Sequence, residues 1–186
     1  MISLILITLA VLIAGVLVVA ALRSGDFRVE RSTVVSARPA VAFAYVNDLR
    51  KWQEMSPFVK LDPAATYTFS RPSAGTGASL AWVGNNQVGA GRLTIVESRP
   101  NELVRMKLEM LKPFACTNAV EFTFRPTGSQ LTVAWGMSGQ CALPMKVMGL
   151  FMNMDKMCGR QFDEGLANLK RLVEAVEGKP LAVGAS

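Results

Sequence analysis

WVGNNQVGAGRLTIVESRPNELV, residues 82–104, can be read in two ways, and the two lead to different folds. Gly84 and Gly89 have the G-x-x-x-x-G spacing that opens a phosphate-cradling loop. Such a loop needs Lys and then Ser or Thr directly after the second glycine, followed by a helix whose N-terminus receives the phosphate. Here Gly89 is followed by Ala90, Gly91 and Arg92, and RLTIVES alternates as a strand does. The stretch therefore reads as a β-hairpin. Gly84, Asn85 and Asn86 are expected to supply its positive-φ turn residues, and Gly89 and Gly91 to permit a bulge or sharp bend.

Alternation of period two extends to both sides of this hairpin. Strands are predicted at 65–70, 78–83, 90–98, 102–111, 116–125 and 130–138, separated by the turn signals PSAGTG, GNNQ, RPN and RPTGS. Parity places Val104, Met106, Leu108 and Met110 on one face and Arg105, Lys107 and Glu109 on the other. The next two strands turn Asn118, Val120, Phe122 and Phe124, then Leu131, Val133, Trp135 and Met137, to the covered face. Arg92, Glu97, Glu109 and Glu121 fall on the wet face.

The cover is a helix. From about Met145 to Val176 the residues Met148, Phe151, Met154, Cys158, Phe162, Leu166, Leu169 and Val173 recur every three or four positions, one stripe of a long helix. Upstream, FRVERSTVVS (27–36) reads as a first strand. Pro39 opens a short helix, and Asp48 caps a second one that Pro57 closes. The order is strand, two short helices, six antiparallel strands and a long C-terminal helix. A twisted sheet gripping one helix tends to leave an internal cavity.

Residues 2–22 carry no charge and contain Ser3 and Thr8 as their polar side chains. That length is close to the roughly 20 apolar residues that span a bilayer. A cleaved signal peptide is the competing reading, but the run is long for one and no Lys or Arg precedes it. Arg23, Arg28 and Arg31 on the C-terminal flank place the folded part on the cytoplasmic side by the positive-inside rule. Three parts are thus expected: anchor and linker at 1–26, a folded domain at 27–176, and a loose tail at 177–186.

Composition removes several chemistries. The sequence has no histidine, which excludes Ser-His-Asp and Cys-His catalysis and HExxH metal sites. Cys116, Cys141 and Cys158 lack zinc or disulfide spacing. No cofactor and no metal site is expected. The net charge of +6 belongs entirely to the part outside the anchor, which suits either an ordinary solvated surface or attraction to anionic headgroups. Nucleic acid is disfavoured, because no dense basic run with interleaved aromatics is present.

Three segments in this order, PAVAFAYVNDLRKWQEMSPF, WVGNNQVGAGRLTIVESRPNELV and GRQFDEGLANLKRLVE, resemble the SRPBCC (START-like) superfamily, which includes the polyketide cyclase/dehydrase and lipid-transport families. The resemblance covers roughly Phe27 to Val176. It implies an α+β helix-grip fold, a curved antiparallel sheet wrapped around a long C-terminal helix, enclosing an apolar pocket for lipids, sterols, polyketides or other hydrophobic molecules. The superfold hosts binders, transporters and enzymes, so no reaction follows from it.

Candidate ligand-binding residues come from the inward list: Trp82, Met106, Met110, Phe122, Trp135 and Met137 from the sheet, Phe151 and Met154 from the long helix. Trp52 of the second short helix is placed at the pocket mouth, as in similar proteins. Methionine repacks around varied apolar shapes, and five of the ten methionines fall in 145–157. Plain core packing is the alternative for each of these side chains. Asn118, polar on an apolar face, either bonds nearby backbone or presents itself to a ligand. The expected function is a membrane-anchored binder of a hydrophobic small molecule or lipid, with no catalytic residue assigned. A cyclase or dehydratase on an apolar substrate and a protein-interaction module are the alternatives.

Overall fold

A computed structural model describes residues 2–22, 24–140, 146–147 and 154–178. Its elements are α1 (Ile2–Leu22), β1 (Asp26–Val35), α2 (Pro39–Asn47), α3 (Leu49–Met55), a 3-10 turn (Pro57–Leu61), β2 (Thr66–Phe69), β3 (Ser79–Val83), β4 (Ala90–Arg99), β5 (Leu103–Lys112), β6 (Cys116–Thr127), β7 (Gln130–Gln140) and α4 (Met154–Glu177). The strands form one seven-stranded sheet in the order β1-β7-β6-β5-β4-β3-β2. Every pairing is antiparallel. Strands β2 to β7 are the meander that the alternation predicts, and β1 closes the far edge against β7.

Local chemistry sets the short helices. Pro39 opens α2, where its fixed φ suits the first turn and its missing N–H costs nothing. Asp48 caps α3, its carboxylate accepting from the Arg50 N–H at 2.9 Å and from the Ser73 hydroxyl at 3.2 Å. Ser56 ends α3, and Pro57 starts the 3-10 turn. The buried Asp62 carboxylate then accepts from Ala64 N–H at 3.1 Å and Asn85 N–H at 2.6 Å, tying that turn to the β3–β4 loop.

That loop corrects one expectation. The positive φ lies at Gly89 (64°), not at Gly84, Asn85 or Asn86. Because Val83 pairs with Ala90, residues 84–89 are too many for a two-residue hairpin turn. The chain instead makes a helical-type turn. Asn85 Oδ1 accepts from the Gln87 and Val88 N–H groups, the Asn85 carbonyl accepts from Gly89 N–H at 2.8 Å, and glycine takes the left-handed exit. The bend itself falls where the glycines place it, since the β4–β5 register shifts between Ala90 and Gly91, and again between Ile95 and Glu97.

Helix α4 lies on the concave face. Phe162, Leu166, Leu169 and Val173 are buried in one cluster with Val29, Val35, Leu131, Val133 and Trp135 of the sheet. Removing such side chains from water supplies about 1.5–3 kcal/mol each, which is what holds helix to sheet. The buried Asn168 of α4 donates to the Met55 carbonyl at 3.1 Å and accepts from Arg171, fixing the end of α3 against α4. Of the stretch predicted to start this helix before Met154, Lys146 and Val147 are described and helical, while Met145, residues 148–153 with Met148 and Phe151, and the tail from 179 onward lie outside the described residues.

Candidate functional site

Sheet and helix do not close on each other along their whole length. Between the concave face, α3, the 3-10 turn and the first turns of α4 is a cavity of about 1180 Å³. Drug-sized pockets span about 300–1,000 Å³, so the space suits a multi-ring or long-chain molecule.

Trp52, Trp82, Met110, Asn118, Trp135 and Met137 line this cavity. Met106 and Phe122 do not. They face the same way but are fully buried in the core cluster, where the Phe122 ring packs edge-on against Trp52 with centroids 5.2 Å apart. The difference lies along the strands. Leu108 pairs with Asn118 and Met110 with Cys116 at the open end, whereas Val104 pairs with Phe122 where α2 and α3 fill the space. Phe151 lies outside the described residues, and Met154 begins α4.

The aromatic side chains are held by specific contacts. The Trp82 indole N–H donates to the Val88 carbonyl at 3.1 Å, fixing that ring to the β3–β4 loop. Trp135 stacks on Phe162 and meets Trp52 edge-on at 5.3 Å. All three tryptophans of the chain therefore face one cavity.

A family model described as polyketide cyclase/dehydrase and lipid transport matches residues 26–174. The chain belongs to this family. A search of curated proteins finds no match. Among solved structures, the di-domain ARO/CYC StfQ of the steffimycin biosynthetic pathway matches with TM-score 0.61 at 14% identity, over 83% of this chain and 52% of that one. The Aha1 dimer of Colwellia psychrerythraea matches with TM-score 0.58 at 14% identity, over 82% and 99% of the two chains. A Thermus thermophilus protein matches with TM-score 0.59 at 16% identity, over 82% and 100%. At these identities the likeness is one of fold: the chain has the SRPBCC helix-grip architecture.

Within this family member, sequence reasoning left several lining residues unassigned. Gln53 of α3 and Gln161 of α4 line the cavity beside Trp52 and Phe162. Neither breaks an alternation, so no pattern marks them. Tyr67 of β2 also lines it, and burial, then the nearby Asp62 charge, pushes its phenol pKa up, keeping a neutral hydroxyl there. Charge on the lining comes from Lys156 and Arg160, one turn apart and exposed on α4. Asp155 points elsewhere, forming an ion pair at 2.7 Å with Arg31 of β1. Among the described residues no group of three His, Cys, Asp or Glu is placed to hold a metal ion.

Helix α1 is long and apolar enough to cross a membrane, over Ser3–Leu22. Its Leu4, Ile7, Val11 and Leu22 side chains are exposed. A membrane span and a signal sequence both have this form.

Proposed function

We propose that this protein binds a hydrophobic small molecule or lipid in the internal cavity while α1 holds it to a membrane. The observation that carries the reading is the cavity of about 1180 Å³ with Trp52, Trp82, Trp135 and Met137 on its walls. Family membership supports it, as lipid transport is among the activities for which the family is described. Residues 27–176 form the binding unit, and residues 2–22 the single span. The arginines at 23, 28 and 31 favour a cytoplasmic domain. Tethering raises the local concentration of a membrane-resident ligand without any new contact. Binding is preferred to catalysis because the described cavity walls include no carboxylate and the sequence no histidine.

The test is native mass spectrometry of the full chain released from lipid nanodiscs, with extraction and identification of whatever stays bound. A stoichiometric apolar adduct supports the reading. An empty protein that also takes up no added lipid or ring compound overturns it.

A cyclase-like enzyme is the second reading, favoured by the neutral Tyr67 hydroxyl in the cavity and by the likeness to StfQ, whose name assigns it to a biosynthetic pathway. It requires turnover of an apolar substrate that Tyr67→Phe abolishes without reducing binding.

A further inference from the structure

The cavity opens at the end of the sheet where the chain arrives from α1. Asp26, the first residue of β1, pairs with Gln140, and Phe27 pairs with Gly139. Gly139 in turn pairs with Asn118, and Asn118 with Leu108, so one row crosses β1, β7, β6 and β5. Phe27, Gln140, Asn118 and Leu108 all line the cavity. Beyond this row the β5–β6 hairpin turns after the Met110–Cys116 pair, and Pro113, Phe114 and Ala115 at its tip form part of the mouth. Four residue steps separate Leu22 from Asp26, at most about 14 Å of chain. Strands lie about 4.8 Å apart, so the hairpin, two and three strands from β1, is offset sideways by about 10–14 Å. A span that ends at Leu22 therefore brings the mouth to the membrane surface.

That end of the domain is also apolar and basic. Outside α1, the aromatic side chains among the large exposed apolar ones of the described residues are Phe58 and Phe114, and both stand on the rim. Exposed Val83 and Leu111 lie beside them on the outer face of the sheet, Val83 pairing with Ala90 and Ala90 with Lys112. The charged residues of the lining, Lys156 and Arg160, are both basic, and exposed Lys112 adjoins the hairpin tip. The nearby acids are engaged: Asp155 with Arg31, Glu164 with Lys60, and Asp26 with Gln140. Apolar tips ringed by cations suit the boundary between anionic headgroups and acyl chains.

We infer that the mouth of the cavity docks on the bilayer that α1 enters, with the β5–β6 hairpin and the 3-10 turn set among the lipid headgroups. This rests on the reading of α1 as an anchor and goes beyond it. A tether only keeps the domain nearby, whereas docking fixes its orientation and lets an apolar ligand pass between lipid and cavity without crossing water.

The test is site-specific photo-crosslinking of the full chain in nanodiscs of phosphatidylcholine and phosphatidylserine. p-Benzoylphenylalanine replaces one residue at a time, and mass spectrometry after irradiation identifies what it has joined. Leu111 and Val83 are the rim positions because neither lines the cavity, so a lipid bound inside cannot account for an adduct. Ala119, exposed on the outer face of β6, and Ser129, in the β6–β7 turn, are the comparison positions, and Leu17 of α1 reports the span. Phospholipid adducts at 111 and 83 are expected at about tenfold or more the yield at 119 and 129, since one cation near anionic headgroups is worth about fivefold and the apolar tips add to it. The two rim positions are read independently, so one well-folded variant of the pair decides. Rim yields no higher than that at 119, with lipid adducts at Leu17, overturn the inference and leave the anchor standing. Protein–protein crosslinks at 111 in place of lipid adducts make a second copy the occupant and overturn it likewise. No lipid adduct at Leu17 overturns the anchor reading and the docking with it.

Discussion

Trp135 of β7 and Phe162 of α4 stack nearly parallel, ring centroids 4.3 Å apart and planes 11° from each other. This is the point where helix and sheet meet at the floor of the cavity. Gly165 lies one turn further along α4. A Cβ there would stand 2.5 Å from Trp135 Cζ3 and 3.2 Å from Pro57 Cδ, so α4 approaches this closely because position 165 has no side chain. Gly165→Ala is expected to destabilise the fold by about 1–3 kcal/mol through overpacking, despite the better helix propensity of alanine. Urea unfolding followed by circular dichroism measures it. A stabilised variant would mean that the stack is not close-packed.

Asp48 connects a cap to the cavity. Its carboxylate holds the first turn of α3, the helix that presents Trp52 and Gln53. Asp48→Ala is expected to cost about 1 kcal/mol of stability, as for other N-caps. Ligand affinity is expected to fall as well, while Asp48→Asn, which can still accept, restores most of both. Equilibrium denaturation and fluorescence titration of the same three proteins separate the two effects.

Acid is expected to loosen α4 from β1 and the start of α2. Three carboxylates of α4 make these attachments and all have lowered pKa values. Asp155 is lowered by hydrogen bonds from Arg31, Glu174 by the Ser36 N–H and then Lys170, and Glu177 by the Arg38 side chain and backbone. A folded pKa below the unfolded one contributes stability above the unfolded value and loses it as pH falls through the folded value. Stability is therefore expected to hold from pH 7 down to about 4, the ordinary carboxylate range, and to fall below it. Glu174→Gln should reduce that slope in denaturation curves taken from pH 7 to 3. An unchanged slope would show that these exposed pairs contribute nothing to the titration.

Period and punctuation made most of the fold legible. Alternation marked β2 to β7 to within a few residues, because one face of each strand is buried and the other wet, as in β5 where Met106 is buried and Arg105 exposed. The cavity was legible only as a direction. Parity says that Met106 and Met110 face inward, but not that α2 and α3 fill the space near the first and leave it open near the second. Gln53 and Gln161 were missed for a related reason. Their place on the wall depends on how α3 and α4 roll against the sheet, and helical periodicity fixes that roll only to within a residue or so. Asn118 was found because a polar residue breaks an apolar alternation.

Helix α1 yields the last prediction. Twenty-one residues at about 1.5 Å each give roughly 31 Å, the thickness of a bilayer core. A retained anchor and a cleaved signal differ in mass and in location. If α1 is an anchor, the full chain sediments with membranes, resists alkaline extraction, and keeps residues 2–22 in its intact mass. Removing residues 1–26 should then release a soluble protein that unfolds cooperatively and still binds apolar ligands. If α1 is a signal, the mature mass begins near Ala20 or Ala21 and the protein is found outside the membrane fraction. Sidedness follows from protease added to sealed vesicles of each orientation. The arginines flanking the span predict digestion of the domain in inside-out vesicles and protection in right-side-out ones. The reverse pattern would put the domain across the membrane, where the ligand supply is that of the opposite leaflet.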